Sequence, residues 1–366
     1  MTTARSASLV AAAVAGAASL AAGAGYLGAR WIIAADRKRH DITGNLSDLA
    51  YAALADSDET SSSSIPTGDG GRMYLRSAGT PGDSPIVLLH GVTLDGSIWH
   101  NQLADLQRDF HVIAPEWRGH GRSTPGHDGF GLDALAADLD TLLETLDLHD
   151  ALVVGHSMGG MALMRFCAAF PKTLEARVSG VAFQSTAVCD VGAGPLVVPL
   201  KVGSWLARIF PGATGRFSKQ PADIGYVGAR LGFGADPSPV WVEQTRLLLT
   251  HMDPVALTAS VLPLLDHDER ESMRRVPTPA LVLVGSADLV TPLRQAEEIA
   301  ALLPDSTLWS FGGAGHTLML ERSNELSDVL RNFAVDCRRA RWLNAGRRRS
   351  EGKPVAPGTA PVVALS

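Results

Sequence analysis

The sequence predicts an α/β fold in which a mostly parallel central sheet is flanked by helices and carries an inserted helical cap. Short apolar runs bounded by turn residues alternate with longer amphipathic segments along the body of the chain. Runs that are apolar on both faces are typical of buried parallel strands. One interval between neighbouring runs, roughly 189–275, is far longer than an ordinary crossover, which indicates an insertion.

Six apolar runs are predicted to be strands, and each is bounded by turn residues. They are residues 85–89, 111–115, 151–155, 178–184, 280–284 and 307–311. Helical periodicity lies between them, most clearly at 132–148, where leucines recur on one face, and at 158–169. Because strands and helices alternate, the strands are expected to run parallel. In such sheets the chemistry collects at the carboxyl ends of the strands.

The inserted interval has helical patterns at 241–252 and 255–265 and many turn residues. It also holds aromatic residues that we expect to be exposed, namely Trp205, Phe210, Phe217, Tyr226, Phe233 and Trp241. We interpret 189–275 as a cap over the sheet, with Trp205 and Trp241 as candidate substrate-binding residues. A separate small domain with no role at the site is the alternative.

The N-terminal segment, residues 1–39, contains an uncharged run of 24 residues at 6–29, long enough to span a bilayer as a helix. Trp31 and the basic cluster at 37–39 follow it, as an interfacial anchor and a cytoplasmic flank would. We predict a single-pass membrane anchor with the catalytic domain in the cytoplasm. One alternative is a cleaved signal peptide with export, because residues 22–24 form a small-x-small cleavage site. The other alternative is that the segment neither anchors the protein in a membrane nor directs its export.

Charge divides the chain into an acidic body and basic ends. The net charge of −6 combines +4 in 1–39, +6 in 337–366 and −16 in 40–336. An acidic body excludes nucleic-acid binding, which needs a basic face, whereas basic ends suit an anionic membrane surface. Residues 40–64, rich in Ser and acidic groups, are predicted to be a polar linker. The segment 337–366 is predicted to be a basic, disordered tail.

The cysteine count excludes a disulfide framework and a Cys-rich zinc module, because the three cysteines lie far apart in the sequence. They are Cys167, Cys189 and Cys337. No G-x-G-x-x-G pattern follows a predicted strand, so no nucleotide cofactor is predicted, and no metal site is predicted either.

The segment Gly155-His-Ser-Met-Gly159 matches the nucleophile elbow, G-x-S-x-G. Such a nucleophile sits on a strained strand-to-helix turn, and only small residues two before and two after it let the backbone pass. The context fits, since β-forming residues precede Ser157 and an apolar helix follows it. We therefore predict that Ser157 is a nucleophile, with the N–H of Met158 facing developing negative charge.

A hydroxyl nucleophile needs a base, and the base needs an acid that orients it. Of eleven histidines, His316 stands in a Gly-rich loop directly after the strand at 307–311, and Asp288 follows the strand at 280–284 in the same way. The chain order Ser, Asp, His is that of α/β hydrolases. Asp190, after the strand at 178–184, is the next candidate for the acid.

The run Leu88-Leu-His-Gly-Val92 ends the first clear strand. A turn there can aim the N–H of Val92 at the same oxyanion as Met158, and two donors are the usual complement of an oxyanion hole. His90 is predicted to order this loop rather than to transfer protons.

These residues together resemble the α/β-hydrolase superfamily over residues 65–336. The resemblance rests on His90-Gly91, Trp117 to Ser123, Gly155 to Gly160, Gly285 with Asp288, and Gly315-His316 followed by Glu321. It implies a hydrolase core at 65–188 and 276–336 and a Ser157–Asp288–His316 triad. The body looks most like the branch that holds monoacylglycerol-lipase-like esterases, cofactor-free haloperoxidase-like enzymes and carbon–carbon bond hydrolases. Glu116, where many members have Asp, and Ser323, where Pro is frequent, depart from the pattern.

The resemblance implies a serine hydrolase that cleaves carboxylic esters through an acyl-enzyme. Epoxide hydrolases and haloalkane dehalogenases of this fold use Asp where Ser157 stands, so those reactions are disfavoured. An aromatic cap and a membrane anchor favour a lipophilic ester, such as a monoacylglycerol. A carbon–carbon bond hydrolase or a perhydrolase would use the same triad, and a hydrolase-fold ligand-binding protein is the alternative from another class.

Overall fold

The computed structural model describes residues 27–190 and 222–350. The strands in these ranges form one sheet of eight strands in the order β1-β2-β4-β3-β5-β6-β7-β8. Their bounds are β1 Ser61–Pro66, β2 Arg72–Ala78, β3 Pro85–Leu89, β4 His111–Pro115, β5 Ala151–His156, β6 Val178–Gln184, β7 Ala280–Gly285 and β8 Ser306–Phe311.

Helices cover both faces of this sheet. The first described helix, α1, occupies 27–39. The others are α2 Leu46–Leu54, α3 His100–Leu106, α4 Leu132–Thr145, α5 Met158–Ala169, α6 Pro171–Arg177, α7 Ala222–Arg230, α8 Pro239–His251, α9 Pro254–Val261, α10 Arg270–Met273, α11 Leu293–Leu302, α12 Leu318–Glu321 and α13 Ser323–Ser350. Two 3-10 helices, Gly96–Trp99 and Leu262–Asp266, complete the set within the described ranges.

All six predicted strands are confirmed, and they run parallel from β3 to β8. The sequence did not predict β1 and β2, which pair antiparallel with each other and add to β4. Only one residue of β1, Ile65, is buried, because an edge strand has little apolar signal of its own. Its structure comes from pairing with β2.

The core lies on both sides of the sheet, as the apolar runs predicted. Along β3, Val87 and Leu89 join the cluster under α4 and α5, while Ile86 and Leu88 join the cluster under α3 and α13. Alternation of side chains along a strand explains this division. Two buried faces hold the strands firmly, so the positions of the strand ends are well defined.

The prediction of a polar linker at 40–64 is wrong, because α2 and the first part of β1 lie within this range. Asn45 caps α2 by accepting hydrogen bonds from the N–H groups of Ser47 and Asp48, and α2 packs on the inserted helix α8 and buries Leu46 and Ala50. The residues that look like a polar linker therefore form a short amphipathic helix and the edge strand β1.

The prediction of a disordered tail is also wrong for residues 337–350, because α13 continues to Ser350. Cys337 is buried, and the Arg341 guanidinium donates hydrogen bonds to the carbonyl oxygens of Glu175, Ala176 and Val178. A basic side chain that satisfies free carbonyls gives this segment a structural partner. Residues 351–366 lie outside the described residues.

Most of the predicted membrane anchor, residues 6–26, lies outside the described residues. From 27 to 190 and from 222 to 350, no single helix has both the length and the apolar character needed to cross a bilayer. The described end of the predicted anchor belongs to α1.

The insertion contains the predicted helices, which appear as α8 and as α9 continued by a 3-10 turn. The expectation that its aromatic side chains are exposed is wrong for Tyr226 and Phe233, which are buried in the core cluster beside α13. Their partners come from distant parts of the chain, so sequence periodicity did not reveal them. Trp205 lies in 191–221, outside the described residues.

Candidate active site

Ser157 lies at the tight turn between β5 and α5, with φ 53° and ψ −119°. Such a backbone is strained for a residue with a side chain. A Cβ on Gly155 would lie 2.6 Å from the carbonyl oxygen of Gly159, and a Cβ on Gly159 would lie 2.6 Å from that of Leu89. The two glycines of the motif are therefore required by contact with backbone, as the sequence argument expected.

Asp288 and His316 form a buried pair, with 2.9 Å between Asp288 Oδ2 and His316 Nδ1. Asp288 Oδ1 accepts hydrogen bonds from the N–H groups of Val290 and Thr291, and Oδ2 also accepts one from the Thr291 hydroxyl. Burial alone would raise the pKa of Asp288, but His316 and these donors hold it below its ordinary value. The carboxylate is therefore ionised at neutral pH.

An ionised Asp288 favours the His316 tautomer that carries its proton on Nδ1. The lone pair then lies on Nε2, which is the arrangement needed in a general base. Asp288 follows β7 and His316 follows β8, so the pair stands at the carboxyl edge of the sheet where Ser157 also lies.

Three loops meet at this edge. His156, next to Ser157, donates from Nε2 to the carbonyl oxygen of His316 at 3.0 Å, and the two rings have centroids 4.7 Å apart. A Cβ on Gly91 would lie 2.9 Å from Ser157 Cβ, so the loop after β3 touches the turn directly. The loops that carry Ser157, His316 and Val92 are thus in contact.

The N–H groups of Val92 and Met158 are candidate oxyanion donors. Within residues 27–190 and 222–350 neither of them makes a hydrogen bond to the protein. Met158 is the first residue of α5, where the N–H groups of a helix have no partner inside the helix. Met158 follows Ser157 directly, and Val92 follows Gly91, where an added Cβ would lie 2.9 Å from Ser157 Cβ.

His90 orders the loop after β3, which agrees with its predicted role. Its Nδ1 contacts the carbonyl oxygen of Gly91 at 2.8 Å, and its Nε2 accepts from the N–H of Trp117 at 2.9 Å. Trp117 Nε1 in turn donates to the carbonyl oxygen of His90. Burial lowers the pKa of His90 well below its ordinary value, so it stays neutral.

Sequence reasoning missed three polar side chains that hold the site, namely Thr291, whose hydroxyl donates to Asp288, together with His156 and Thr186. His156 joins the turn of Ser157 to the loop of His316, and burial lowers the pKa of His156 to about 3, so its ring is neutral. Thr186 donates its hydroxyl to the carbonyl oxygen of Ser157 at 2.7 Å. The only signal for His156 was its place inside the elbow motif, and Thr186 had none.

The structure describes only one of the two candidate cap residues, Trp241. Trp205 lies outside the described residues. Trp241, on α8, is half-buried and packs against the core cluster that includes Tyr226 and Phe233. A substrate contact for Trp241 therefore remains a prediction.

Residues 84–323 match the model of the alpha/beta hydrolase fold family. The chain belongs to that family, and it is an enzyme of the α/β-hydrolase type.

Curated relatives include a non-heme chloroperoxidase of Streptomyces lividans, which is 28% identical over 276 residues. The match covers 74% of this chain and 98% of that protein. A bifunctional esterase/perhydrolase of Acinetobacter calcoaceticus is 26% identical over 277 residues and is covered to 98%. Among solved structures, an esterase of Thermogutta terrifontis superposes with a TM-score of 0.64 at 23% identity, over 76% of this chain and 99% of that one.

Proposed function

We propose that this protein is a serine hydrolase that cleaves carboxylic esters through an acyl-enzyme. The observation that carries the proposal is the buried Asp288–His316 pair at the sheet edge where Ser157 occupies a strained turn. The family membership and the esterase among the relatives support the same class of reaction.

In the proposed mechanism, His316 Nε2 takes the Ser157 hydroxyl proton while Ser157 Oγ attacks the ester carbonyl. The N–H groups of Val92 and Met158 stabilise the oxyanion. His316 then protonates the leaving alcohol, and the acyl group stays on Ser157. Water, deprotonated by His316, releases the acid and restores Ser157. Asp288 remains ionised and stabilises the His316 imidazolium.

We propose a lipophilic acyl chain as the substrate class, such as that of a monoacylglycerol. The half-buried Trp241 of the insertion supports this, because burying acyl methylenes gains roughly 0.8 kcal/mol each. In a series of p-nitrophenyl esters, kcat/KM is then expected to rise about two- to fourfold per carbon in the early steps from acetyl towards octanoyl.

Trp241→Ala is expected to flatten that series more than it lowers acetyl-ester turnover. The matched control is Trp309→Ala, which removes a half-exposed indole on β8. A flat series in the wild type would reject the lipophilic substrate and leave the serine hydrolase intact. Equal losses on all esters in the Trp241 variant would mean that this ring only packs the cap.

Perhydrolysis is the second candidate, favoured by the esterase/perhydrolase and chloroperoxidase relatives. Hydrogen peroxide would replace water in attacking the acyl-enzyme, giving a peracid and free Ser157. A carbon–carbon bond hydrolase of the dienone type would need the same residues.

The deciding experiment labels the protein with a fluorophosphonate and then compares ester, ester plus hydrogen peroxide, and a dienone substrate. Rapid labelling that Ser157→Ala abolishes, together with ester turnover, is the expected result. Peracid in excess of acid would favour perhydrolysis. Labelling without turnover of any substrate would favour a ligand-binding protein.

We also propose that residues 6–29 attach the protein to a membrane, with the catalytic domain on the cytoplasmic side. Leu27, in the described end of this segment, and Trp31, which follows the segment, are 69% and 74% exposed, which supports an apolar partner. Retention in the membrane fraction after a carbonate wash is the expected result. A mature N-terminus near Gly25 would replace the anchor with a cleaved signal.

A further inference from the structure

We propose that the N-terminal helix α1 is part of the apparatus that positions His316, and that Asp36 is the positioning residue that links α1 to it. This helix precedes the stretch, 84–323, that matches the family model. The inference rests on the proposed function only in treating His316 as the base.

The first link is between α1 and the inserted helix α7. Asp36 is 2% exposed, and its Oδ2 accepts hydrogen bonds from the Tyr226 hydroxyl at 3.2 Å and from Arg230 Nε at 3.1 Å. A buried carboxylate bonded to a guanidinium cannot be removed without leaving the other charge unpaired. The pair therefore fixes the side chain of Arg230.

The second link is between α7 and the turn that follows it. The two terminal nitrogens of Arg230 donate to the carbonyl oxygens of Gly234, at 3.3 Å, and Ala235, at 2.8 Å. One guanidinium thus bonds Asp36 with one nitrogen and the 234–235 backbone with the other two. The fork geometry of Arg makes this bridge directional.

The third link is between that turn and the loop of His316. The N–H of His316 donates to the carbonyl oxygen of Gly232 at 2.8 Å. The carboxylate of Glu321 accepts from the N–H groups of both Gly234 and Gly315, at 2.8 Å and 3.0 Å. A displaced 232–235 turn would therefore move the backbone of His316.

The turn also fits closely against the loop. A Cβ on Gly234 would lie 2.1 Å from the carbonyl oxygen of Gly313, and one on Gly315 would lie 2.4 Å from the backbone of Phe233. No space is left there to absorb a shift. Misplacement of a catalytic group by about 1 Å can cost on the order of a hundredfold in rate.

The helix α2 adds a separate attachment to the insertion. Ser47 Oγ donates to Glu243 at 2.6 Å, and the Tyr51 hydroxyl contacts His251 Nε2 at 3.0 Å. These contacts hold α8, so the two N-terminal helices together hold two helices of the insertion. Only the Asp36 contact continues to His316.

The experiment compares Asp36→Asn with Asp236→Asn in the full chain. Asp236 makes a contact between the same two regions, to Arg39 at 2.7 Å and His40 at 3.1 Å, but it is exposed. The chemical change is the same, but Asp236 bonds Arg39 and His40 rather than Arg230, which joins Asp36 to the 234–235 backbone. Asp36→Asn is expected to lower kcat by about ten- to a hundredfold with KM within about twofold. Asp236→Asn is expected to leave both near the wild-type values.

Hydrogen exchange gives a readout that does not need turnover. In Asp36→Asn the amide of His316 is expected to exchange several-fold faster than in the wild type, and in Asp236→Asn it is expected to be unchanged. If the wild type hydrolyses no ester but this difference appears, the proposed function fails and the link stands. If esters are hydrolysed and a folded Asp36→Asn protein matches the wild type in kcat and exchange, the link is refuted.

Arg230→Lys decides the question if Asp36→Asn does not fold. Lysine keeps a charge beside Asp36 but cannot also reach the carbonyl oxygens of Gly234 and Ala235 with a planar fork. The Arg230→Lys variant is expected to lower kcat and to speed hydrogen exchange at the His316 amide, as Asp36→Asn does. Wild-type kcat and exchange in this variant would overturn the proposal.

Discussion

The sheet edge that holds the proposed active site and the inserted helices are held in place by different kinds of contact. Ser157, Asp288 and His316 follow parallel strands that are joined to their neighbours by main-chain hydrogen bonds, and the strands before Ser157 and Asp288 are buried along their whole length. The inserted helices α7 and α8 are tied to α1 and α2 by side chains about 190–200 residues away in the sequence. The edge is therefore rigid and locally encoded, whereas the position of the insertion depends on side-chain pairs from distant segments.

The largest effect is expected at the edge itself. Ser157→Ala should lower ester kcat by roughly 10⁴-fold or more, because the acyl-enzyme cannot form. Steady-state kinetics on a p-nitrophenyl ester measures the loss, and thermal unfolding shows that the fold is kept. Residual turnover within tenfold of the wild type would mean that another residue is the nucleophile.

Asp288→Asn should lower kcat by roughly 10³- to 10⁴-fold with little change in KM, because the amide favours the wrong His316 tautomer. Asp190→Asn, at the alternative acid position, is the matched control and should be near the wild type. Reversed results for these two variants would move the acid to the end of β6.

A Gly→Ala substitution at the sheet edge and another in the insertion compare how tightly the two regions are packed. Gly159→Ala places a Cβ 2.6 Å from the carbonyl oxygen of Leu89, and is expected to lower the free energy of unfolding by about 1–3 kcal/mol. Gly228→Ala, in α7, meets nothing within 4 Å and should raise that free energy by about 0.5–1 kcal/mol. Denaturant unfolding measures both. Similar losses at the two positions would show that the insertion is packed as tightly as the edge.

Away from both regions, a change in stability that depends on pH is expected at Glu116, a buried carboxyl directly after β4. Burial, with Asp95 nearby, raises the pKa of Glu116 to about 7, from an ordinary value near 4.5. Between these two values the folded protein holds a proton that the unfolded chain has lost, so the stability contributed at low pH is lost as pH rises towards 7. Relative to Glu116→Gln, the wild type should lose on the order of 3 kcal/mol of unfolding free energy between pH 4.5 and 8.

Glu271→Gln is the control for this measurement, because the Glu271 side chain is 75% exposed on α10 and pairs with Arg275. Because this pair is exposed, the unfolding free energies of the wild type and Glu271→Gln should change in parallel over the same pH range. A parallel pH dependence of unfolding in the wild type and Glu116→Gln would show that Glu116 is ionised in the folded protein throughout.

Local sequence patterns predicted those parts of the molecule whose structure depends on neighbours in the chain. The buried strands were predicted because parallel strands with two covered faces must be apolar, and the elbow because its glycines are required within five residues. The positions of Asp288 and His316 followed from the rule that parallel strands bring their carboxyl ends to one edge. Whether those two residues and Ser157 act as a catalytic triad remains a proposal.

Tertiary structure alone decided the rest. The helix α2 and the end of α13 look polar or disordered in sequence, because each is ordered by partners far away in the chain rather than by its own periodicity. The strand β1 is ordered by pairing with the next strand, β2. Arg341 donates to the carbonyl oxygen of Val178 at the start of β6, and Asp36 accepts from Arg230 across 194 positions of sequence. Interactions over such distances leave no local pattern, since their energy appears only when folding brings the two segments together.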